Sequence, residues 1–344
     1  MSTKFSLGTF SIAGSQPFAG VVLSEDKTEQ VIPAVALGPL CEQAGRPLRS
    51  PQTVLGLLED WEYNLAALQA GIAQFEAEAR KIGKPSVETL SLQAVTFHAP
   101  LLYPRQIICA GANYRQHVID LVADQGGGPL TEHMSREERR AWAANQMDQR
   151  IAEGTPYVFS QLPSTITGPF DPVILPRSTR EADWELELGV IIGKAARHVS
   201  RENALDYVAG YTIVNDLTSR DKIFRKDLKA MGTDWLAGKC SPSFLPTGPY
   251  FVPALFVPDP QQLQITLKLN GEIMQNESTA DMMFDIARLI EYISGHVQLW
   301  PGDLISTGSP AGNGTHYNRY LQAGDVLEGS ISGLGMQRNI CVAE

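Results

Sequence analysis

The sequence predicts an α+β fold: a mixed β-roll, barrel-like domain that carries the chemistry, preceded by a smaller N-terminal α+β unit. Two observations lead there. From Val158 onward, short apolar runs alternate with turn residues, and helical spacing is confined to a few segments. No regular strand–helix–strand alternation runs through this part, which argues against a doubly wound nucleotide-binding sheet.

Taken in order, the elements begin with alternating apolar and polar positions from about Lys4 to Leu37. They read as short antiparallel strands at Phe5–Gly8, Gly20–Leu23 and Val31–Val35. Ser50 and Pro51 then predict an N-cap and first helical turn. The apolar stripe Val54, Leu55, Leu57, Leu58, Trp61, Leu65, Leu68, Ile72 and Phe75 carries that helix to Lys84. Pro100 and Pro104 mark a connection, placing the boundary between units 1–103 and 104–344. A buried strand, Ile107–Ala110, follows and ends at Gly111. The loop from Ala123 through Gly126, Gly127 and Gly128 reads as a flexible hinge, and Ser135 with Glu138 forms a capping box opening a charged helix to Ala152. Residues from about 112 to 155 are expected to form an insertion, either a movable lid or a solvated surface excursion. Further helices are expected at Ser200–Ala209, stopped by Gly210, and at Met282–Ser294, stopped by Gly295.

A chain of 344 residues with 43% hydrophobic content is long enough to bury a sizeable core. Its net charge of −10, with no long basic run, argues against nucleic acid and anionic membranes as partners. An anionic small-molecule ligand would need a local cation. Cys41, Cys109, Cys240 and Cys341 are scattered and read as reduced thiols. The N-terminal residues lack an apolar signal core and no segment reaches the ~20 apolar residues of a membrane span, so the expected location is cytoplasmic.

The most informative stretch is DWELELGVIIG from Asp183 to Gly193. Side chains two apart on a strand point the same way, so Glu185 and Glu187 project together while Leu186 and Leu188 pack opposite. An isolated Glu-x-Glu is more often a solvated strand face. Flanked by apolar residues, a like-charged pair needs a proton or a cation. Asp216, in YTIVNDLTSRD, can return beside the pair through a compact strand–turn–strand unit. Three carboxylates form a hard oxygen site suited to Mg²⁺, Mn²⁺ or Ca²⁺, and with no matched His or Cys, zinc is disfavoured. Lys239 or Arg220 can balance the excess charge.

GANYRQH (111–117), DWELELGVIIGK (183–194), GYTIVNDLTSRD (210–221), LNGE (269–272) with Gln275, PGDLISTGSPAG (301–312), and the closing AGDVLEG (323–329) with GLGMQRN (333–339) together resemble the ordered motif set of the fumarylacetoacetate hydrolase family. The resemblance spans roughly residues 104–344. It implies a mixed β-roll catalytic domain behind a smaller N-terminal one, a divalent metal, usually Mg²⁺, and frequently a homodimer. By the same resemblance the metal carboxylates fall on Glu185, Glu187 and Asp216, and the lid histidine on His117, following Asn113 and Tyr114. Its acidic partner falls on Asp120, where the family commonly has Glu. Lys239 matches the active-site lysine. Gly308 and Ser309 begin the substrate-binding turn, with Ser in place of the usual Thr. Tyr114, Arg220 and Gln161 complete the expected substrate contacts. Gln161 stands where the family often has lysine and Ile223 where glutamine is common, so the substrate is expected to differ.

Competing motifs fail. Ser309 directly follows Gly308, unlike the serine of a nucleophile elbow, and Gly308, Gly312 and Gly314 lack the Lys-Ser/Thr end of a phosphate loop. The expected activity is hydrolysis of a carbon–carbon bond in a 1,3-dicarbonyl acid such as an acylpyruvate, through a metal-stabilised enolate, with His117 and Asp120 activating water. The alternatives are an isomerase, hydratase or 2-oxo-acid decarboxylase on the same site, or a non-catalytic family member.

Overall fold

The computed structural model describes residues 3–25, 28–84, 86–126, 128–225, 227 and 232–344; Gly127 of the glycine-rich loop lies outside them. Strands Ser6–Ser11, Phe18–Glu25 and Thr28–Pro33 form an antiparallel meander, completed by Leu90–Ser91 and Thr96–His98 into a five-stranded sheet. Behind it lie helices Ala34–Gln43 and Trp61–Ile82.

Four expected elements need correction. The strand reading of Val31–Val35 gives way at Ala34 to a helix, because Ala34, Leu37, Leu40 and Cys41 share one buried helical face. The single helix expected from Ser50 to Lys84 is two. Thr53, not Ser50, caps Val54–Leu58 by accepting from the Gly56 amide, and Trp61–Ile82 ends at Gly83 in the left-handed conformation. The helix expected at Ser200–Ala209 is a 3₁₀ segment, Arg201–Tyr207. Gly210 lies inside the following strand, where an added Cβ would sit 2.2 Å from the Val252 carbonyl oxygen. The helix expected at Met282–Ser294 is Ile286–His296 and runs through Gly295; Asp285 is its N-cap, and its carboxylate accepts from the Arg288 amide at 2.7 Å.

The large part is a six-stranded mixed sheet and a five-stranded sheet. In the first, Val208–Asn215 and Leu186–Ile192 pair antiparallel; Leu304–Ser306 then joins Ile107–Gly111 in parallel, and Tyr157–Gln161 closes the edge. In the second, Gln264–Leu269, Glu272–Ser278, Val326–Ile331 and Gly335–Ala343 run antiparallel, with Val173–Leu175 added in parallel. The two share one core, in which Leu186, Leu188, Val190 and Ile213 meet Ile265, Leu267, Leu327 and Ile331.

The other face of the six-stranded sheet, through Ile107, Cys109, Ile191, Val214 and Leu304, shares a core with Leu7, Leu37, Leu57 and Leu68 of the N-terminal part. Reciprocal backbone bonds between Leu7 and Phe251, at 2.8 and 2.7 Å, stitch the parts together. Between Ile107–Gly111 and Tyr157–Gln161 the chain inserts two packed helices, Arg115–Gln125 and Arg136–Glu153; Ser135 and Glu138 make the second one's capping box. All four cysteines are free, and among the described residues no helix is long and apolar enough to cross a membrane.

Candidate active site

Strand alternation decides which acids meet. Leu186, Leu188, Val190 and Ile192 enter one core and Ile191 the other, so Glu187 lies on the Ile191 face. The N-terminal part covers only one end of that face. Past it, Glu187 borders a cavity of about 520 Å³. On the adjacent strand Val214 shares the Ile191 side, which brings Asp216 round to the cavity. The ladder continues past the strand ends: the Asp216 amide donates to the Glu185 carbonyl at 2.8 Å, and the Glu185 amide donates to Asn215 Oδ1 at 2.9 Å. Glu185, Glu187 and Asp216 are all buried, and each offers one oxygen within 4.8 Å of the others.

Two cations meet this cluster, Lys239 buried and Arg220 partly buried. Lys239 Nζ donates to Glu185 Oε2 at 2.6 Å and to the Asp216 carbonyl at 2.7 Å, and lies 2.8 Å from Asp216 Oδ2. It rides on the short helix Trp235–Lys239, capped by Asp234. Arg220 donates through Nε to Asp183 Oδ2 at 2.8 Å and pairs with Glu185. Burial pushes the Glu185 carboxyl up, but Arg220 and Lys239 outweigh it and hold the group at about 2. Among the described residues no cation pairs with Glu187; burial, then Asp216 and Glu185, push its carboxyl well above the ordinary range. Asp216 rises to about 6, mainly through burial, which Lys239 offsets only in part. The lysine itself is raised, since the carboxylates around it outweigh its desolvation.

Such a site fits a hard dication. Asp216 Oδ1 is buried with no hydrogen-bond partner among the described residues, and two of the three acids resist carrying their charge without a further cation.

His117, Arg220, Lys239 and Ser309 line the same cavity as the three carboxylates. Burial lowers the His117 imidazole, which favours its neutral, proton-accepting form. Four other expected site residues do not line it. Asp120 accepts from Gln116 Nε2 at 2.8 Å and pairs with Arg140 of the second inserted helix. Among the described residues no hydrogen bond joins it to His117. Tyr114 is wholly buried in the main core just before the Arg115–Gln125 helix, because its backbone bridges to Met282 there. Gln161 is buried behind the lysine, its Nε2 donating to the Lys239 carbonyl at 2.8 Å. Gly308 donates its amide to Glu187 Oε2 at 2.7 Å, so it holds a carboxylate of the protein itself. Its φ of +100 and an Asn113 Cβ that would lie 2.8 Å from any added Cβ demand glycine.

The residue most underrated by sequence is Asp183. Fully buried, it accepts from Trp184 N at 2.8 Å, Thr315 Oγ1 at 2.8 Å, the Gly314 amide and Arg220, tying the 311–316 turn to the site. An acid flush with an apolar run was its signal. Gln275, quoted only as part of a motif, clamps the same turn. It accepts from the Leu186 amide at 3.1 Å and donates to Ser309 Oγ and the Pro310 carbonyl, both at 2.9 Å. An aromatic wall went unread altogether: Phe159 stacks on Trp235 at 4.5 Å, and Trp235 Nε1 donates to Tyr157 Oη at 2.6 Å.

The family profile described as fumarylacetoacetate (FAA) hydrolase C-terminal matches residues 106–342. The chain is 32% identical to human oxaloacetate tautomerase FAHD2B, mitochondrial, over 288 residues, covering 83% of this chain and 78% of that protein. It is 45% identical to 2,4-didehydro-3-deoxy-L-rhamnonate hydrolase of Sphingomonas sp. (strain SKA58) over 186 residues, 53% of this chain and 64% of the relative. Among solved structures it is similar to maleylpyruvate hydrolase from Sphingobium sp. SYK-6 in complex with manganese(II) and pyruvate. The TM-score there is 0.67 and the identity 26%, covering 98% of this chain and 99% of the other.

Proposed function

This chain belongs to the fumarylacetoacetate hydrolase family, and on that premise we propose that it is a divalent-metal-dependent hydrolase cleaving a carbon–carbon bond in a 1,3-dicarbonyl acid. One observation carries the reading: a histidine with a lowered pKa and a buried three-carboxylate cluster face the same cavity, with lysine and arginine beside them. The hydrolases among its relatives, one holding manganese and pyruvate, support it.

Glu185, Glu187 and Asp216 are the proposed ligands of Mg²⁺ or Mn²⁺. When bound, that ion supplies Lewis-acid polarisation and a template for two substrate oxygens. His117 removes a proton from water, and the resulting hydroxide adds to the distal carbonyl. The carbon–carbon bond then breaks. Its electron pair passes into an enolate that is later protonated, and Lys239 and Arg220 place positive charge beside the developing oxyanion. Ser309 and its turn offer polar groups to the substrate carboxylate, and the helical insertion screens the site from bulk water. A second copy of the chain is the proposed oligomeric partner, as is frequent in the family.

Acylpyruvates and other 2,4-dioxo acids, incubated with Mg²⁺ or Mn²⁺, should be cleaved, with product lost in His117→Ala. Turnover that persists in excess chelator refutes the metal role. A second reading, keto–enol tautomerisation of oxaloacetate, is favoured by the Arg140 contact that leaves Asp120 unbonded to His117, because tautomerisation needs no activated water. Loss of the enol's ultraviolet absorbance without a cleaved product would select it.

A further inference from the structure

We propose that Asn313 holds a buried water against the inserted helix and through it orients the His117 ring, making Asn313 a positioning residue for the hydrolysis. This rests on the function proposed above. Asn313 is 1% exposed, yet both its amide nitrogen and its amide oxygen lack hydrogen-bond partners among the described residues. A buried amide left unpaired is costly, so a native fold keeps one where something else satisfies it.

The reason the amide is free lies in the neighbouring acid. Asn313 occupies the N-cap position of the short helix Gly314–Tyr317, where an asparagine ordinarily accepts from the first-turn amides. Those amides are already taken: Gly314 N and Thr315 N, the latter at 3.3 Å, donate to Asp183. Asn313 makes no side-chain cap bond and instead lines a small cavity between this turn and the inserted helix.

That cavity measures about 10 Å³, close to the least that admits one water. Its other polar walls are His117, Asp120, Asp124, Thr315 and His316. Most are already engaged. Asp120 is held by Arg140 and Gln116, while Asp124 is held by Arg136 at 2.8 Å and lies 3.2 Å from His316 Nδ1. Thr315 Oγ1 donates to Asp183. Asn313 and His117 therefore remain to share the water, as donor and acceptor pairs that need no rearrangement of the ion pairs around them. His117 borders both this cavity and the catalytic one, so a water fixed here constrains the ring from the side away from the substrate.

A crystal structure of the wild-type protein should show a water within hydrogen-bond distance of the Asn313 amide and of His117. Asn313→Leu, similar in shape but without polar atoms, should lose that water, keep its melting temperature, and lower kcat about tenfold with KM unchanged, as expected when a reacting group is mispositioned. Asn313→Asp, which retains an acceptor, should recover part of that loss. The proposal fails if the wild-type cavity is dry, if its water touches neither Asn313 nor His117, if Asn313→Leu keeps wild-type kcat, or if Asn313→Asp falls as far as Asn313→Leu. Should the wild type cleave no dioxo acid, the function proposed above fails, while the water is still read from the crystal.

Discussion

The carboxylate floor and the helical insertion hold their charges in opposite ways. On the floor, Glu185, Glu187, Asp216 and Lys239 are buried; the six-stranded sheet and the backbone bonds that continue it fix the three acids, and the short helix Trp235–Lys239 carries the lysine. On the insertion, Arg140, Arg136 and Arg115 pair with Asp120, Asp124 and Asp148 along a half-exposed helix pair. Buried pairs keep most of their Coulomb energy but carry a desolvation cost, whereas exposed pairs are screened and worth little. The floor's electrostatics thus depend on what fills it, whereas the insertion's ion pairs add little to what its buried apolar residues already hold.

The sharpest way to break this comparison is to remove an acid from the floor. Glu187→Ala deletes the carboxylate held by Ser306 at 2.5 Å and by Gly308. It should weaken Mn²⁺ binding by calorimetry more than the roughly 10–100-fold typical of losing an outer partner, and abolish turnover. Unchanged Mn²⁺ affinity would remove Glu187 from the ligand set.

Much of the floor was legible beforehand because strand alternation is a strict rule: once the Leu186 and Leu188 side is core, Glu187 has one direction left. What sits behind the floor was not legible. Gln161 and Gly308 were expected to touch substrate, but whether a side chain or amide serves the ligand or the protein depends on which strand lies next to it, and that is a non-local fact. Gln161 sits on the edge strand beside Ile107–Gly111 and reaches the Lys239 carbonyl. The insertion's second helix was readable through the Ser135 capping box. Its tertiary pairing was not, since an Asp three residues after a His says nothing about an arginine arriving from the next helix.

Removing the cation should cost less than removing the acid. Lys239→Met leaves Glu185 and Asp216 facing each other without their shared ammonium, and breaking such a buried pair typically costs about 3–5 kcal/mol. Urea unfolding of metal-free protein should show that loss, and saturating Mn²⁺ should shrink it, because a dication takes over the counter-charge. Equal losses with and without Mn²⁺ would mean that the ion does not bind here.

Proton uptake gives a smaller, graded version of the same test. In the folded protein Asp216 titrates at about 6 against an ordinary 3.8, and Glu187 is raised as well. Between those values the metal-free folded state binds protons that the unfolded chain does not, so stability should rise as pH falls from about 7 to 5. His117, lowered by burial, opposes this below its ordinary 6.5, and Glu185, held at about 2, below its ordinary 4.5; in the window from 7 to 5 the two raised acids outnumber the one histidine. With Mn²⁺ present the trend should reverse, because the ion needs its ligands deprotonated. Melting curves at several pH values, with chelator and with Mn²⁺, read both signs.

The smallest effect on stability belongs to the insertion and carries the most information about mechanism. Arg140 is 44% exposed and Asp120 16%, so Arg140→Ala should change unfolding free energy by less than about 1 kcal/mol. Its effect on catalysis depends on what Asp120 does. If hydrolysis needs a His117–Asp120 contact, the arginine competes for that carboxylate, and removing it should raise kcat for dioxo-acid cleavage a few-fold while Asp120→Asn lowers it. If the chain is a tautomerase that never activates water, neither substitution should move the enol–keto rate, and Arg140→Ala becomes a silent change on an exposed helix. The comparison between floor and insertion then becomes one between a site that binds and a cover that only shields it.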